Sequence, residues 1–185
     1  SVDGQKFGVA RPTAKARHSR KYYGRGKGVV AYTLLCNHAP LQGWLIGAHE
    51  FEAHHVFDIW YRNTSSIVPT AITGDMHSVN KLNFAILQWF GSRFEPRFTG
   101  LNKQLGEIYC AGDPAQYAHC LIKPAGKIDL KIIADEKKNI DRIVATLGLK
   151  EMTQGTLVRK LCTHDADPTR RAIFEYDRLV RSAYT

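Results

Sequence analysis

Apolar residues in the first hundred positions predict strands and helices in mixed order. Residues 29–36 and 41–48 are short apolar runs, partly β-branched, which is typical of strands. The short polar link between them, residues 37–40, predicts an antiparallel hairpin. A helix is predicted next, because the following apolar residues recur at helical spacing. These residues are Ala53, Val56, Phe57, Trp60 and Tyr61.

The stretch AITGDMHSVN, residues 71–80, predicts a second strand-to-helix unit. Residues 67–73, which are interrupted by Pro69, read as a short strand that leads to Asp75. Pro69 is best placed at the start of that strand. A helix with an apolar stripe follows and ends at Gly91, and residues 93–98 read as a further short edge strand. The stripe consists of Val79, Leu82, Ala85, Ile86, Trp89 and Phe90.

The pattern changes at Thr99, after which helical periodicity dominates. Helices are predicted over residues 101–109, 130–147 and 156–162, with another beginning at Asp113-Pro114. A final helix is capped by residues 167–169. We therefore expect three segments, namely a mixed α/β core over residues 1–98, a helical insertion over 99–167, and a return to the core over 168–185.

The charge of the chain points to an anionic partner. Its 185 residues carry a formal net charge of +9 with a pI near 9.5, which favours nucleic acid first and an acidic membrane surface second. No apolar run reaches the roughly 18 residues that a membrane helix needs. The four cysteines form no CxxC pair, so a zinc ribbon is not expected. We expect reduced thiols in a cytoplasm-like compartment.

Basic residues concentrate in residues 1–28, which contain eight of them and a single acid, Asp3. Tyrosines interleaved with these cations suit phosphate contacts combined with base stacking. The alternative is a solvated loop, and the run GRGKG matches no phosphate-binding motif. The predicted nucleic-acid-binding residues are Lys6, Arg17, Arg20, Lys21, Tyr22, Tyr23, Arg25 and Lys27.

Two acids are placed where strands could present them to a metal ion. If the strand holding Asp3 neighbours the strand before Asp75, both carboxylates can bind Mg²⁺ or Mn²⁺. Two such ions would support phosphodiester chemistry. The predicted order of elements is that of an RNase H-like domain. A helix-capping role is the alternative for Asp75. The HEFEAHH stretch, residues 49–55, lacks the HExxH spacing of a metalloprotease.

Several motifs together resemble the catalytic domain of Tn3-family transposases. The opening SVDGQKF resembles that family's first acid motif, and YYGRGKG and TGD, residues 22–28 and 73–75, resemble two more. The later NIDRI and RRA, residues 139–143 and 170–172, are also similar. The resemblance covers essentially the whole chain.

The resemblance implies a DDE transposase with an RNase H-like fold that cleaves transposon 3′ ends and joins them to target DNA, with Mg²⁺ or Mn²⁺ as cofactor. Asp3 and Asp75 would be the first two catalytic acids. The third, a Glu, is expected about twenty residues beyond Thr185. Glu175 is an alternative within the chain. We expect a fragment that is inactive by itself.

The resemblance also implies a homodimer in the full-length protein, located in the bacterial cytoplasm and on the nucleoid when bound to DNA. A non-catalytic nucleic-acid-binding module with the same fold is the main alternative. A Holliday-junction resolvase would share the fold and metal chemistry but would leave the SVDGQ and YYGRGKG motifs unexplained.

Overall fold

One long central strand organises the main sheet. The computed structural model describes residues 1–11, 13–163 and 166–185. Strand β3 (Lys27–Cys36) pairs antiparallel with β1 (Val2–Val9) along one edge. Along its other edge it pairs with β4 (Ala39–Gly47) and with the short β2 (Arg17–His18). The turn between β3 and β4 contains two left-handed residues, Asn37 and His38. Such a turn matches the twist of a tight hairpin.

A short parallel pair of strands continues from the β1 edge. Strand β5 (Ala71–Ile72) pairs with β6 (Arg93–Phe94). The N–H of Val2 donates to the carbonyl of Thr73 at 2.8 Å, which joins β1 to the chain leaving β5. The end of β5 is therefore anchored beside the beginning of β1.

Helices pack against this sheet, and they make up most of the second half of the chain. They are α1 (Arg20–Tyr23), α2 (Val56–Tyr61), α3 (Asn83–Trp89), α4 (Leu101–Leu105), α5 (Leu130–Asp135), α6 (Lys137–Gly148), α7 (Gln154–Cys162) and α8 (Pro168–Tyr184). Single 3₁₀ turns occur at Glu52–His54, Met76–Ser78 and Pro114–Tyr117. A small parallel pair, β7 (Tyr109–Cys110) and β8 (Gly126–Lys127), lies between α4 and α5.

A continuous hydrophobic core joins these elements. Alternate residues of the sheet, among them Val30, Tyr32 and Leu34, are buried with residues of α2, α3, α6, α7 and α8. Helix α8 packs on α3, and the buried Asp177 of α8 accepts a hydrogen bond from the N–H of Ala85 at 3.1 Å. The final helix therefore belongs to the same core as the strands.

A buried glutamine connects α7 to the first half of the chain. The Gln154 side-chain oxygen accepts from the N–H of Phe57 at 2.8 Å, and its amide donates to the carbonyl of Ala53 at 2.9 Å and to Asn83. The N–H of Gln154 also donates to the Asp58 carboxyl at 2.9 Å. The side-chain amide and the backbone N–H of this glutamine thus fix α7 against α2, α3 and the Glu52–His54 turn.

The mixed α/β class, the β3–β4 hairpin and the final helix confirm the sequence predictions. The first strand, β1, is eight residues long and begins at Val2. Helix α4 ends at Leu105, and the predicted helix over 130–147 is two helices that meet at Glu136. Only Ala71–Ile72 of the predicted strand over 67–73 forms a ladder.

The cysteines and the helix lengths are the remaining features of the fold. All four cysteines are free thiols. Within the described parts of the chain, no helix combines the length and apolar character that spanning a bilayer requires.

Candidate active site

Asp3 stands on the open side of β1. The strand alternates, so Val2 is buried in the core while Asp3 projects toward solvent. Its carboxylate accepts a hydrogen bond from the N–H of Gly4 at 2.8 Å. The side chain is thus held near the backbone of a strand that is itself fixed by β3.

Asp75 begins a helical turn at the end of β5. Its carboxylate accepts from the N–H of His77 at 2.9 Å, which caps the Met76–Ser78 turn, while its carbonyl accepts from the Ser78 hydroxyl at 2.6 Å. A side chain at Gly74 would lie 2.3 Å from the Ser78 hydroxyl, so only glycine fits before this acid. The capping role expected as an alternative is therefore real, and Asp75 nonetheless remains exposed.

The two acids line the same cavity. This cavity has a volume of about 300 Å³, and Thr73 and Arg97 also line it. The Val2–Thr73 hydrogen bond explains why the two acids lie close together. Asp3 follows Val2 by one residue on β1, and Asp75 follows Thr73 by two residues after β5. The convergence predicted from neighbouring strands thus has a structural basis, whereas the catalytic and metal roles of the two acids stay predictions.

The chemistry of this cavity fits a hard divalent cation only in part. Two carboxylates supply the oxygen ligands that Mg²⁺ and Mn²⁺ prefer. Among the described residues, however, no group of three or more His, Cys, Asp or Glu side chains is arranged to hold a metal ion. As predicted metal ligands, Asp3 and Asp75 would therefore supply only part of the oxygen coordination that such a cation needs.

Glu175, the alternative third acid, has other partners. Its carboxylate accepts from the N–H of Asp129 at 3.1 Å and pairs with Arg178 on the same helix. It does not line the cavity that contains Asp3 and Asp75. The structure thus brings the first two predicted acids to one place and leaves Glu175 outside it.

The predicted nucleic-acid-binding surface divides into exposed and anchored residues. Tyr22 is 42% exposed, and the ammonium groups of Lys6 and Lys21 lie 4.8 and 4.9 Å from its ring centroid. Arg20, Arg25 and Lys27 are also exposed. This part of the surface offers cations beside an aromatic ring.

Tyr23 and Arg17 are turned toward the protein itself. The Tyr23 hydroxyl donates to the carbonyl of Val29 at 3.2 Å, and its ring covers Gly28, where a side chain would collide with it. The Arg17 guanidinium donates to the carbonyls of Ala14 and Ala16. Both side chains form hydrogen bonds with backbone carbonyls in or beside the basic segment. Their residue types did not reveal this structural role.

Lys6 is also bound internally. Its ammonium lies 2.9 Å from the carboxylate of Glu52, whose side chain is 10% exposed. Burial lowers the pKa of Lys6, but the hydrogen bond and negative charge of Glu52 outweigh burial and leave the pKa raised. Glu52 was not among the residues predicted from the sequence, because the only motif considered nearby was HExxH, whose spacing residues 49–55 lack.

Comparison with known proteins identifies the family of this chain. The family model for the Tn3 transposase DDE domain matches residues 1–185. The chain belongs to the Tn3 transposase DDE domain family. This confirms the relationship predicted from the SVDGQ, YYGRGKG and TGD motifs.

A curated relative gives the scale of the parent proteins. The chain is 26% identical over 187 residues to the transposase for transposon Tn4556 of Streptomyces fradiae. The match covers all of this chain and 21% of that transposase, so the chain spans about a fifth of its relative's length. No solved structure matches the chain.

Proposed function

We propose that this chain is the part of a DDE transposase that carries the first two catalytic acids, on an RNase H-like core. The co-location of Asp3 and Asp75 on one cavity, within a chain of this family, carries the proposal. The strand arrangement supports it, since three antiparallel strands are continued at the β1 edge by a parallel pair.

In this proposal Asp3 and Asp75 would hold Mg²⁺ or Mn²⁺ in the cavity. A bound divalent ion would supply activation of the attacking oxygen and stabilisation of the leaving oxygen of a phosphodiester. The chain's own contribution is to orient both carboxylates. The Gly4 N–H holds Asp3, and the His77 N–H holds Asp75.

The proposed DNA contact is the basic segment between β1 and β3. Tyr22 offers a stacking face, and Arg20, Lys21, Arg25 and Lys27 offer charges to phosphates. Lys6, Arg17 and Tyr23 belong to the proposed surface as well, although each also has an internal partner. Transposon ends and target DNA are the proposed substrates of the full-length protein.

The remaining parts of the proposal concern the parent protein. We place the catalytic core over residues 1–98, the helical insertion over 99–167 and the returning core over 168–185. A third catalytic Glu would follow Thr185 by about twenty residues. The full-length protein would act as a homodimer on DNA in the bacterial cytoplasm.

The residue roles are tested in the intact transposase by Asp3→Asn and Asp75→Asn. Each substitution is expected to lower 3′-end cleavage by about a thousandfold or more while leaving end binding largely intact. Cleavage is measured on labelled transposon ends, and binding by gel shift. A variant that keeps near-normal cleavage would remove that residue from the catalytic set.

The incompleteness of the centre is tested with these 185 residues alone. We expect weak Mn²⁺ binding by calorimetry and no Mg²⁺-dependent nicking of supercoiled DNA, because Asp3 and Asp75 are the only carboxylates that line the cavity among the described residues. Robust nicking that is lost in Asp75→Asn would show that a further ligand lies within the chain and would contradict the expected position of the third acid.

A further inference from the structure

Beneath the basic surface lies a small buried polar cluster that the proposed chemistry does not use. Gly4 and Lys6 project from the same face of β1, and Tyr32 of β3 is paired directly across from Gly4. The Glu52 carboxyl occupies the space above Gly4, where any side chain would lie 2.4 Å from it. Glycine at this position therefore lets Glu52 approach the sheet between Lys6 and Tyr32.

Tyr32 has a polar group without a partner in this cluster. The residue is 1% exposed, and its hydroxyl forms no hydrogen bond with any described residue. Burial and the negative charges of Glu52, Asp75 and Asp3 raise the pKa of Tyr32, so the phenol is neutral and keeps its proton as a donor. A buried hydroxyl that forms no bond is costly, and Tyr32 is paired across from Gly4, the residue over which the Lys6-bound Glu52 carboxyl lies.

The lysine is the more exposed member of the ion pair. Its side chain is 26% exposed against 10% for Glu52, and its ammonium also lies beside the exposed ring of Tyr22. If Lys6 turned to a DNA phosphate, Glu52 would become a buried carboxylate without its cation, which is strongly unfavourable. The Tyr32 hydroxyl is the neighbouring donor that could take its place.

We infer that Glu52 exchanges Lys6 for the Tyr32 hydroxyl when Lys6 engages DNA, which makes Tyr32 a positioning residue for nucleic-acid binding. The inference rests on the proposed DNA contact of the basic surface. It assigns an effect on DNA affinity to a residue that is too deeply buried to touch DNA.

The experiment compares wild type, Tyr32→Phe, Lys6→Met and the double variant of this chain by fluorescence anisotropy with a DNA duplex over a range of salt concentrations. Tyr32→Phe is expected to weaken binding by roughly three- to tenfold, because Lys6 then stays with Glu52. The slope of log affinity against log salt should become shallower by about one unit, as for loss of one phosphate contact. Lys6→Met should give the same slope, and the double variant should add little.

Stability distinguishes this role from a structural one. Tyr32→Phe removes an unpaired hydroxyl, so the melting temperature without DNA should be unchanged or slightly higher. The matched control is Tyr61→Phe, whose hydroxyl donates to the carbonyl of Gly148 at 3.0 Å. It should lower the melting temperature and leave DNA affinity and salt slope unchanged.

Four results would overturn the inference. Wild-type affinity and slope in Tyr32→Phe would show that its hydroxyl takes no part. A fall in melting temperature as large as that of Tyr61→Phe would show that the hydroxyl already has a structural bond. A normal salt slope in Lys6→Met would show that Lys6 does not reach DNA. If wild type itself bound no duplex, the proposed DNA contact would fail, and this inference with it.

Discussion

The exposed acids of the candidate active site differ sharply from the buried acids of the core. Asp3 and Asp75 are exposed and held by single backbone N–H groups, whereas Asp58 and Asp177 are each 1% exposed. Desolvation raises the pKa of Asp58 to about 6 and that of Asp177 to about 7, against the lowering effect of backbone hydrogen bonds.

This contrast shows that a perturbed carboxyl is not by itself a mark of function in this fold. Shifted pKa values often identify catalytic acids. Here the two strongly shifted acids instead satisfy backbone donors, Asp58 at the start of α7 and Asp177 at the start of α3. The proposed metal ligands are recognised by their shared cavity, not by burial.

The largest effect on stability is expected from a substitution in the buried polar network, Gln154→Ala. The substitution leaves the N–H of Phe57 and the carbonyl of Ala53 without their partner in the core, so the free energy of unfolding should fall by about 3 kcal/mol. Urea denaturation measures the loss, with the exposed Gln88→Ala on α3 as control. Equal stability of the two variants would contradict the structural role of the buried network.

The second prediction concerns the pH dependence of stability. The folded pKa of Asp177, about 7, lies above the ordinary value of 3.8, so this carboxyl stabilises the fold when protonated, and its contribution is lost as the pH rises toward and through 7. Between pH 5 and pH 8, wild type should therefore lose about 2 kcal/mol more stability than Asp177→Asn.

Comparison with Asp177→Asn isolates this carboxyl from other groups that titrate in the same range. Burial lowers the pKa of His54 and His55, so these histidines act in the opposite direction and destabilise the fold as the pH falls below 6.5. Chemical denaturation at both pH values measures the difference. Parallel pH profiles for the two proteins would show that Asp177 is ionised in the fold at both.

Local patterns predicted the surface of this molecule better than its interior. Two apolar runs and the short link between them were enough for the β3–β4 hairpin, and the TGD motif was enough to single out Asp75. The capping of α3 by Asp177 depends on a contact 92 residues away, and the Gln154 contacts span up to 101 residues. No local periodicity carries such information, so these polar residues looked like ordinary helix positions.

The same limit applies to the basic segment. Lysine, arginine and tyrosine types predicted a nucleic-acid-binding surface, but they could not show that Lys6 faces Glu52 or that the Tyr23 ring covers Gly28. Both contacts depend on the register of β1 and β3. The early end of α4 at Leu105 and the strand β7 were missed for a related reason, because β7 exists only through its pairing with β8.

The third prediction separates two adjacent tyrosines that the sequence treats alike. Tyr22→Ala should weaken duplex binding by about five- to tenfold, because an exposed stacking face is lost, with little change in stability. Tyr23→Ala should lower the free energy of unfolding by about 2 kcal/mol, because its ring packs on Gly28 and its hydroxyl bonds to Val29. Anisotropy and urea denaturation measure the pair, and interchanged results would reverse the assignment.

The smallest effect on stability is expected from substitutions of the proposed catalytic acids themselves. Asp3→Asn and Asp75→Asn should each change the free energy of unfolding by no more than about 0.5 kcal/mol, because both side chains are exposed and asparagine caps a helical turn as well as aspartate does. Urea denaturation of the 185-residue chain measures this. A loss above about 2 kcal/mol for Asp75→Asn would place it with the buried acids, and failed cleavage by that variant would then report on folding, not on phosphodiester chemistry.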